Sequence, residues 1–430
     1  MKVLIKKYFD SEFSKNVLTM VTGTSVAQLV PFLAAPILSR IYTPEEFGLL
    51  ALYLTIAQVL GAVANGRYEL AIILPKDDLD AVKLVLLSLL ISCCLSLIVL
   101  IGVIVGGEYI SAILRDKKLT NWLYLLPVSV FMIGLFNALS YYHIRNKKFG
   151  DVAKARVLKS FSGTGVQLAI GLFGLLNSGG LILGQVSSHI GGNIQMVRTL
   201  TKNIQQVRNT KWEEFKSLAI RYQDFPKYSS WGIFINTISH NFPNVFIARY
   251  FRIVDVGFYS HAYKYLGLPL NLIGNAIGQV FIQNLSEVKD DIKMSKKLFL
   301  KTLQKLFFIG LLMFIPAYFL IENLYELIFG KDWIVAGTYS KLMLPLFFCR
   351  LLTSPLSNVS MVFERQRSGL LINIFLFLVM LFSMILSLYL KFSVKYFVIS
   401  LSISLSVFYL LLLIAYYRMI GRRSTIVNNI

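Results

Sequence analysis

The sequence predicts an all-α integral membrane protein with about twelve transmembrane helices, arranged as two six-helix lobes. Three observations predict this class. Of the 430 residues, 56% are hydrophobic and only 15% are charged, whereas soluble domains carry closer to a quarter charged residues. The apolar residues form about twelve stretches, each long enough to cross a bilayer. The 43 lysines and arginines fall mainly in every second gap between these stretches.

The apolar stretches give each helix its place in the chain. In the first half they predict helices at about 16–39, 46–74, 82–105, 122–142, 156–176 and 179–200. In the second half they predict helices at about 227–250, 257–283, 298–320, 336–362, 370–390 and 395–417. The basic segment before the first helix lacks a signal-peptide pattern, so we expect that helix to be retained. The longer polar gap between the halves predicts an N-terminal lobe (1–200), a cytoplasmic linker with an amphipathic segment (201–226) and a C-terminal lobe (227–430).

Basic residues distinguish the two sides of the predicted membrane. Alternate gaps differ in their lysine and arginine content by about three to one, which places both termini in the cytoplasm. The formal net charge is +21, a value that would suggest nucleic-acid binding in a soluble protein. Here the cations lie in short loops beside apolar spans, where topology and anionic headgroups favour them. We therefore expect a lipid bilayer as partner and no nucleic acid.

The two halves contain a weak internal repeat. The segment from Arg40 to Gly48 opens the second predicted helix, and the segment from Arg249 to Gly257 opens the eighth. Both begin with arginine and place an acid two residues before a glycine, at the same spacing. Two halves of equal topology are typical of parallel repeats in transporters.

Ionisable side chains inside apolar spans are functional candidates, because a cation at the bilayer centre costs about 2.5–3.5 kcal/mol. Arg67 and Glu69 lie in the second predicted span, Lys264 in the eighth and Arg350 in the tenth. Each has a plainer interpretation: Arg67 and Lys264 could snorkel to headgroups, and Arg350 could cap a broken helix. Arg67 could also pair with Glu69, although residues two apart do not face each other on an α-helix.

Two histidines offer weaker candidates for proton binding. His240 lies beside asparagines in the seventh predicted helix, and His189 lies in a helix rich in glycine and serine. Either residue could instead be a hydrogen-bonded packing residue. The sequence shows no metal-ligand spacing, phosphate loop or nucleophile motif, and its longest external gap, about 106–121, is too short for an enzyme domain. We therefore predict a transporter with no cofactor, not an enzyme.

Prolines and glycines predict irregular helices and close packing. Pro31 and Pro36 are expected to interrupt the first helix, Pro243 the seventh, and Pro269 the eighth. The pairs Gly102/Gly106 and Gly180/Gly184 have the spacing typical of closely packed membrane helices.

Three segments together show a resemblance to a known family. They are Arg40–Gly48, the Leu-Leu-Ala-Leu-Tyr run that ends at Tyr53, and the Asn-Gly-Arg-Tyr-Glu-Leu-Ala run from Asn65 to Ala71. They resemble bacterial polysaccharide-biosynthesis flippases, the O-antigen and capsule exporters of the multidrug/oligosaccharidyl-lipid/polysaccharide exporter superfamily. The resemblance implies a V-shaped pair of lobes around a central cavity, in the bacterial cytoplasmic (inner) membrane.

The resemblance also implies a cargo and a mechanism. The cargo would be an undecaprenyl-pyrophosphate-linked oligosaccharide, moved from the cytoplasmic to the periplasmic leaflet by alternating access. Interior arginine and lysine could replace the water lost by the pyrophosphate. Sugars could contact polar and aromatic side chains: Gln28, Asn65, Tyr68 and Asn275. Protonation of Glu69 or His240, sodium, or the membrane potential could supply energy. Polysaccharide polymerase and chain-length proteins are candidate partners.

Two other functions compete with this interpretation. A cation-coupled multidrug exporter of the same superfamily would favour interior acids, whereas interior cations predominate here. A membrane-embedded polysaccharide polymerase or ligase would need a large external loop, which the predicted topology lacks.

Overall fold

The computed structural model describes residues 12–174, 177–204, 211–363 and 366–420, and these residues form helices and connecting turns without strands. Twelve helices of nineteen residues or more lie in these ranges. Nine helical segments there combine the length and apolar composition needed to cross a membrane. The all-helical membrane class is therefore confirmed, whereas the count of twelve spans is not.

The chain divides into two compact units, Met1–Asn241 and Phe242–Ile430. The division falls inside a helix, so the predicted lobes 1–200 and 227–430 remain a sequence-based proposal. Helices of the first unit are α1 (Glu12–Ile41), α2 (Pro44–Ala62), α3 (Asp78–Ile113), α4 (Lys118–Leu123), α5 (Leu126–Arg145), α6 (Phe149–Leu172), α7 (Asn177–Ile204) and α8 (Trp212–Arg221). Helix α9 (Ser230–Tyr250) contains the division between the units.

The second unit continues with long helices. They are α10 (Ile253–Glu287), α11 (Ile292–Phe329), α12 (Ile334–Thr353), the short α13 (Val359–Val362), α14 (Gln366–Tyr389) and α15 (Val394–Met419). Helix α12 packs against α10, α11 and α15. More than half of its residues are buried, including the large Phe347, and it therefore forms the centre of this unit.

The repeated sequence motif is a helix start in both units. At α2, the Thr43 backbone N–H donates to the Glu46 carboxylate at 2.7 Å, and the Glu46 N–H donates to the Thr43 hydroxyl at 3.4 Å. At α10, the Arg252 backbone N–H donates to the Asp255 carboxylate at 3.4 Å. In each case the repeated acid, at the third helical position, accepts a hydrogen bond from the backbone N–H of the residue that precedes the helix.

The prediction for the second helix is wrong over residues 63–74. Helix α2 ends at Ala62, and a 3₁₀ turn follows at Tyr68–Ile73, where a continuous helix was expected to residue 74. Between them, Gly66 and Arg67 adopt left-handed backbone conformations, with φ of 56° and 63°. Two consecutive left-handed residues cannot continue a right-handed helix. Apolar composition alone does not reveal this break.

The predicted proline interruptions are also wrong. Helix α1 continues through Pro31 and Pro36, α9 through Pro243 and α10 through Pro269. Proline removes one helical hydrogen bond, but neighbouring helices and local adjustment can satisfy the freed carbonyl. The real break near residue 66 contains no proline.

Glycine pairs divide into packed and open positions. A Cβ on Gly163 of α6 would lie 2.7 Å from the Ser188 Cβ of α7, so these helices approach closely at glycine. Gly184 lies at the same contact, which confirms the packing expected for Gly180 and Gly184. The same expectation for Gly102 and Gly106 is wrong, because no described atom outside their own helix lies within 4 Å of either added Cβ.

Arg145 forms hydrogen bonds to the segment that connects the 3₁₀ turn with α3. Its guanidinium donates to the carboxylate of Asp78 and to five backbone carbonyls, those of Ile72, Ile73, Pro75, Lys76 and Asp77. A connecting segment has few other partners for its carbonyl groups. Arg145, which the sequence presented only as a topology marker, therefore shapes the segment that follows Arg67.

Replacing Arg145 with lysine should lower the free energy of unfolding by about 2 kcal/mol, because one ammonium cannot reach all these oxygens. Thermal unfolding of the purified protein in detergent measures the effect. Lys148→Gln, at an exposed position nearby, is the control and should leave the midpoint unchanged. Equal midpoints for Arg145→Lys and the parent would contradict this structural role.

Candidate functional site

The segment after α2 holds Arg67 and Glu69 as an ion pair. The Arg67 Nη1 lies 3.2 Å from the Glu69 Oε1, and its Nε donates to the Ser229 hydroxyl at 3.3 Å. The Arg67 side chain is 21% exposed and that of Glu69 only 2%. The two residues meet because the chain is not α-helical here. A continuous helix would have kept the two side chains apart, so the break makes the ion pair possible.

Asn65 and Tyr68 fix this segment from both sides. The Asn65 amide donates to the backbone carbonyls of Ser88 in α3 and Gly134 in α5, at 3.2 and 3.1 Å. The Tyr68 hydroxyl donates to the Ala219 carbonyl of α8 at 2.9 Å. Both side chains therefore position the Arg67 segment, and sugar contact by either one remains a proposal.

Helix α8 is tied to the same region by an ion pair. The Lys83 ammonium lies 2.7 Å from the Glu214 carboxylate and 3.0 Å from that of Asp80. Its hydrogen bond lowers the pKa of the exposed Glu214 carboxyl. The predicted amphipathic segment around 212–222 is thus a helix, with Leu218 packed into the core of the first unit.

A second group of cations lies on one face of α6. The Arg156 guanidinium donates to the Thr24 hydroxyl of α1 at 2.6 Å. The Lys159 ammonium lies 4.7 Å from the centroid of the Phe136 ring of α5. Residues three apart are neighbours on a helix, and Arg156 acts electrostatically on Lys159. We call Arg67, Arg156 and Lys159 the first-unit cation group.

Tyr141 connects the members of this group. Its hydroxyl interacts electrostatically with Arg67, Glu69 and Arg156. Lys159 in turn interacts with the buried His189 of α7. Electrostatic interactions thus link the three cations and Glu69 within the first unit, and neither Arg156 nor Lys159 forms an ion pair among the described residues.

Gln28 lies next to this region. It follows Thr24 by one helical turn, so the two side chains share a face of α1. The Gln28 Oε1 is buried and has no hydrogen-bond partner among the described residues. An uncompensated buried oxygen one helical turn from the hydroxyl that accepts from Arg156 is consistent with a polar ligand site.

Sequence reasoning missed two members of the first-unit cation group. Arg156 stands at the first position of the fifth predicted helix and was counted only among the loop cations, and Lys159 was not singled out. The helix begins at Phe149, seven residues earlier than expected, so Arg156 lies in its interior and not at its end. Their spacing on one face of a glycine- and serine-containing helix was the signal that could have revealed them.

Arg350 forms a separate site in the second unit. Its Nη1 donates to the Tyr263 hydroxyl at 2.8 Å, and its guanidinium lies 5.7 and 5.9 Å from the ring centroids of Tyr263 and Phe347. Tyr259 and Tyr409 also act on it electrostatically. No ion pair to Arg350 occurs among the described residues, so aromatic faces and hydroxyls replace a carboxylate.

The remaining predicted residues are Lys264 and Asn275 in the second unit and His240 in the first. Lys264 is exposed, with its ammonium 5.4 Å from the Tyr265 ring centroid. Asn275, eleven residues later on α10, is also exposed. His240 is partly buried within α9. The structure brings Arg350 to Tyr263, the residue beside Lys264.

A family model for polysaccharide biosynthesis proteins matches residues 37–337. The chain belongs to this family. It is 23% identical over 316 residues to the succinoglycan biosynthesis transport protein ExoT of Rhizobium meliloti (strain 1021), covering 71% of this chain. The chain spans only 60% of the length of that curated relative.

Solved structures show the same fold. The lipid II flippase MurJ, in an inward closed conformation, has a TM-score of 0.70 at 14% identity, covering 94% of this chain and 87% of that one. An inward-facing multidrug-resistance transporter of the MATE family has a TM-score of 0.61 at 15% identity, with 94% of each chain covered. A transporter of the MOP superfamily from Pyrococcus furiosus has a TM-score of 0.60 at 13% identity and equal coverage. This family member therefore has the MOP-superfamily transporter fold.

Within that fold, the first-unit cation group can bind an anion. Three cations with a single carboxylate leave excess positive charge among apolar helices, where water is scarce. Arginine and lysine donors suit phosphate oxygens. Phe136 and Tyr141 add aromatic surface of the kind that contacts sugars and other ring systems.

Proposed function

We propose that this protein is a flippase for a pyrophosphate-linked lipid oligosaccharide. The observation that carries the proposal is the first-unit cation group, in which Arg156 and Lys159 lack acidic partners among the described residues. A pyrophosphate diester brings about two negative charges and can bond several donors at once. Membership of a polysaccharide-biosynthesis family and similarity to a transport protein support this substrate class.

The proposed role of these cations is to replace water. A pyrophosphate that leaves the headgroup region loses hydration, and fixed donors in an apolar setting can compensate for it. The lipid chain would remain in the bilayer while the sugars contact polar groups such as Gln28. No covalent step is involved, so the protein acts as a transporter and not as an enzyme.

Glu69 offers a means of coupling transport to protons. Burial raises the pKa of this carboxyl in the turn between α2 and α3, and the Arg67 guanidinium partly opposes the shift. Protonation would release Arg67 from its ion pair and free it to bind cargo. His240, sodium and the membrane potential remain alternative sources of energy for alternating access.

The multidrug-exporter function is a second candidate because MATE transporters share this fold. Cationic drugs need interior acids, however, whereas the described interior groups are mainly cations. We further propose the bacterial inner membrane as the location, with both termini in the cytoplasm, on the basis of the loop charges. Polymerase and chain-length proteins remain proposed partners.

The experiment compares three methionine variants of α6 in a host strain that lacks the chromosomal copy. Arg156→Met and Lys159→Met should each reduce surface polysaccharide at least about tenfold, the loss expected when one charge-assisted contact is removed. Lys154→Met, at an exposed position of the same helix, is the matched control and should export normally. All three proteins should reach the membrane in equal amounts.

A parallel assay follows efflux of a cationic dye from the same cells. If the protein is a flippase for an anionic lipid, dye efflux should be the same with the parent protein and with every variant. Normal polysaccharide export by both Arg156→Met and Lys159→Met would contradict the proposed site. Dye efflux that depends on the protein would instead favour the multidrug exporter.

A further inference from the structure

Helix α11 is much longer than a bilayer requires. Its 38 residues rise about 57 Å, whereas the hydrocarbon core is about 30 Å thick. The twenty residues 306–325 rise about 30 Å and contain a single charged side chain, Glu322, which is paired with Lys341, so they account for the span. The first fourteen residues, 292–305, therefore extend about 21 Å beyond the hydrocarbon on one side.

This extension carries a stripe of lysines. Lys293, Lys297, Lys301 and Lys305 are all exposed and follow one another at intervals of four residues. Residues four apart are neighbours on a helix face. None of the four forms an ion pair with any described residue, and Asp291, the nearest acid, caps the helix by accepting from the Met294 N–H at 3.0 Å. We call these four residues the α11 lysine stripe.

The stripe points away from the described residues of the second unit that pack against α11. The buried residues of the same region, Ser295, Phe299, Leu306 and Gly310, lie on one side of α11. At about 100° per residue, the four lysines are centred on the opposite side. Among the described residues, none covers the four lysines.

The same face continues into the membrane as an apolar strip. Further along α11, the side chains at the azimuth of the lysines are exposed and apolar: Phe308, Leu312, Ile315 and Phe319. Exposed apolar side chains along a spanning helix face lipid. The lysines thus lie immediately beyond a lipid-facing surface, where the phosphates of that leaflet are the nearest anions.

We propose that the α11 lysine stripe is a binding site for anionic phospholipid headgroups. Continuity with the lipid-facing strip favours a lipid over an acidic protein, and the absence of acids on this face gives charge complementarity. Helical side chains lean toward the N-terminus, so Lys305 and Lys301, which start nearest the hydrocarbon, reach outward to the phosphates. Lys297 and Lys293 lie about 12 and 18 Å beyond Lys305 and contribute less. This inference does not depend on the proposed transport function.

The test measures binding of phosphatidylglycerol to the purified full-length protein by native mass spectrometry, with phosphatidylcholine as the neutral lipid. Lys301→Gln/Lys305→Gln should weaken phosphatidylglycerol binding at least about tenfold, since each lysine near a membrane surface contributes about fivefold. Lys293→Gln/Lys297→Gln should weaken it by a smaller factor. Lys331→Gln/Lys395→Gln removes two exposed lysines elsewhere in the second unit and should change nothing.

The relative losses of phosphatidylglycerol binding in the three double variants show whether lipid headgroups are the anions that bind the stripe. Equal binding by all double variants, or a larger loss from Lys293→Gln/Lys297→Gln, would overturn the assignment to headgroups. Displacement of phosphatidylglycerol from the stripe by equimolar farnesyl diphosphate would also overturn it, in favour of a cargo-loading site. Unchanged unfolding midpoints for all three variants would show that the effects do not arise from misfolding.

Discussion

Replacing both Arg67 and Glu69, as Arg67→Gly/Glu69→Gln, should abolish polysaccharide export while the protein stays folded. Arg67 has a φ of 63°, a left-handed conformation that glycine adopts without strain. Glycine therefore keeps the backbone and removes only the guanidinium. The glutamine avoids an unpaired charge at Glu69, which is 2% exposed and would otherwise be costly to bury. Export should fall at least about tenfold, because a charge-assisted phosphate contact is lost.

The single variants separate binding from stability. Glu69→Gln should retain measurable export, since the Arg67 guanidinium is still present and is released from its ion pair. Arg67→Gly should have a lower unfolding midpoint than the double variant, because it leaves the Glu69 carboxylate without its partner. Surface polysaccharide and thermal unfolding of the purified proteins measure the two effects. Normal export by the folded double variant would show that Arg67 serves structure alone.

Replacing Arg350 with methionine should also abolish export, but it should not destabilise the protein. Among the described residues Arg350 has no acidic partner, so its removal leaves no orphaned charge. Taking an uncompensated cation out of an apolar helix should keep or raise the unfolding midpoint, by about 1 kcal/mol at most. A variant that is at least as stable and yet inactive is the signature expected of a binding residue.

Two further changes test how Arg350 is held. The substitution Arg350→Lys keeps the charge but loses planar stacking on Tyr263 and Phe347, so intermediate export is expected. Tyr263→Phe keeps the aromatic face, loses only the hydroxyl that accepts at 2.8 Å, and should export nearly normally. If Arg350→Met exports as well as Tyr263→Phe, the guanidinium has no role in transport.

The sequence predicted the class of the protein well because that class follows from composition. Long apolar stretches must span lipid whatever their packing, so the all-helical membrane fold needed no tertiary information. The repeated motif around Glu46 and Asp255 was also visible, since a helix start is a local feature of the chain. Family membership agrees with the resemblance found in the first two helices.

The errors arose where a local pattern admits more than one backbone path. The break at Gly66 and Arg67 is invisible in apolar periodicity, and it changes which residues meet. The prolines suggested breaks that neighbouring helices compensate. Loop charges were assumed to serve topology, whereas Arg145 bonds a connecting segment and Arg156 lies on a helix face.

The sequence by itself determined that this chain spans a membrane, which gaps are basic, and that Arg67 and Arg350 lie in apolar surroundings, because hydrophobicity and charge are properties of residue order. The tertiary structure alone decided which cations have partners. It paired Arg67 with Glu69 and left Arg156 and Lys159 without an acid among the described residues. Pairing depends on backbone turns and on contacts between helices far apart in sequence, and no local pattern encodes those distances.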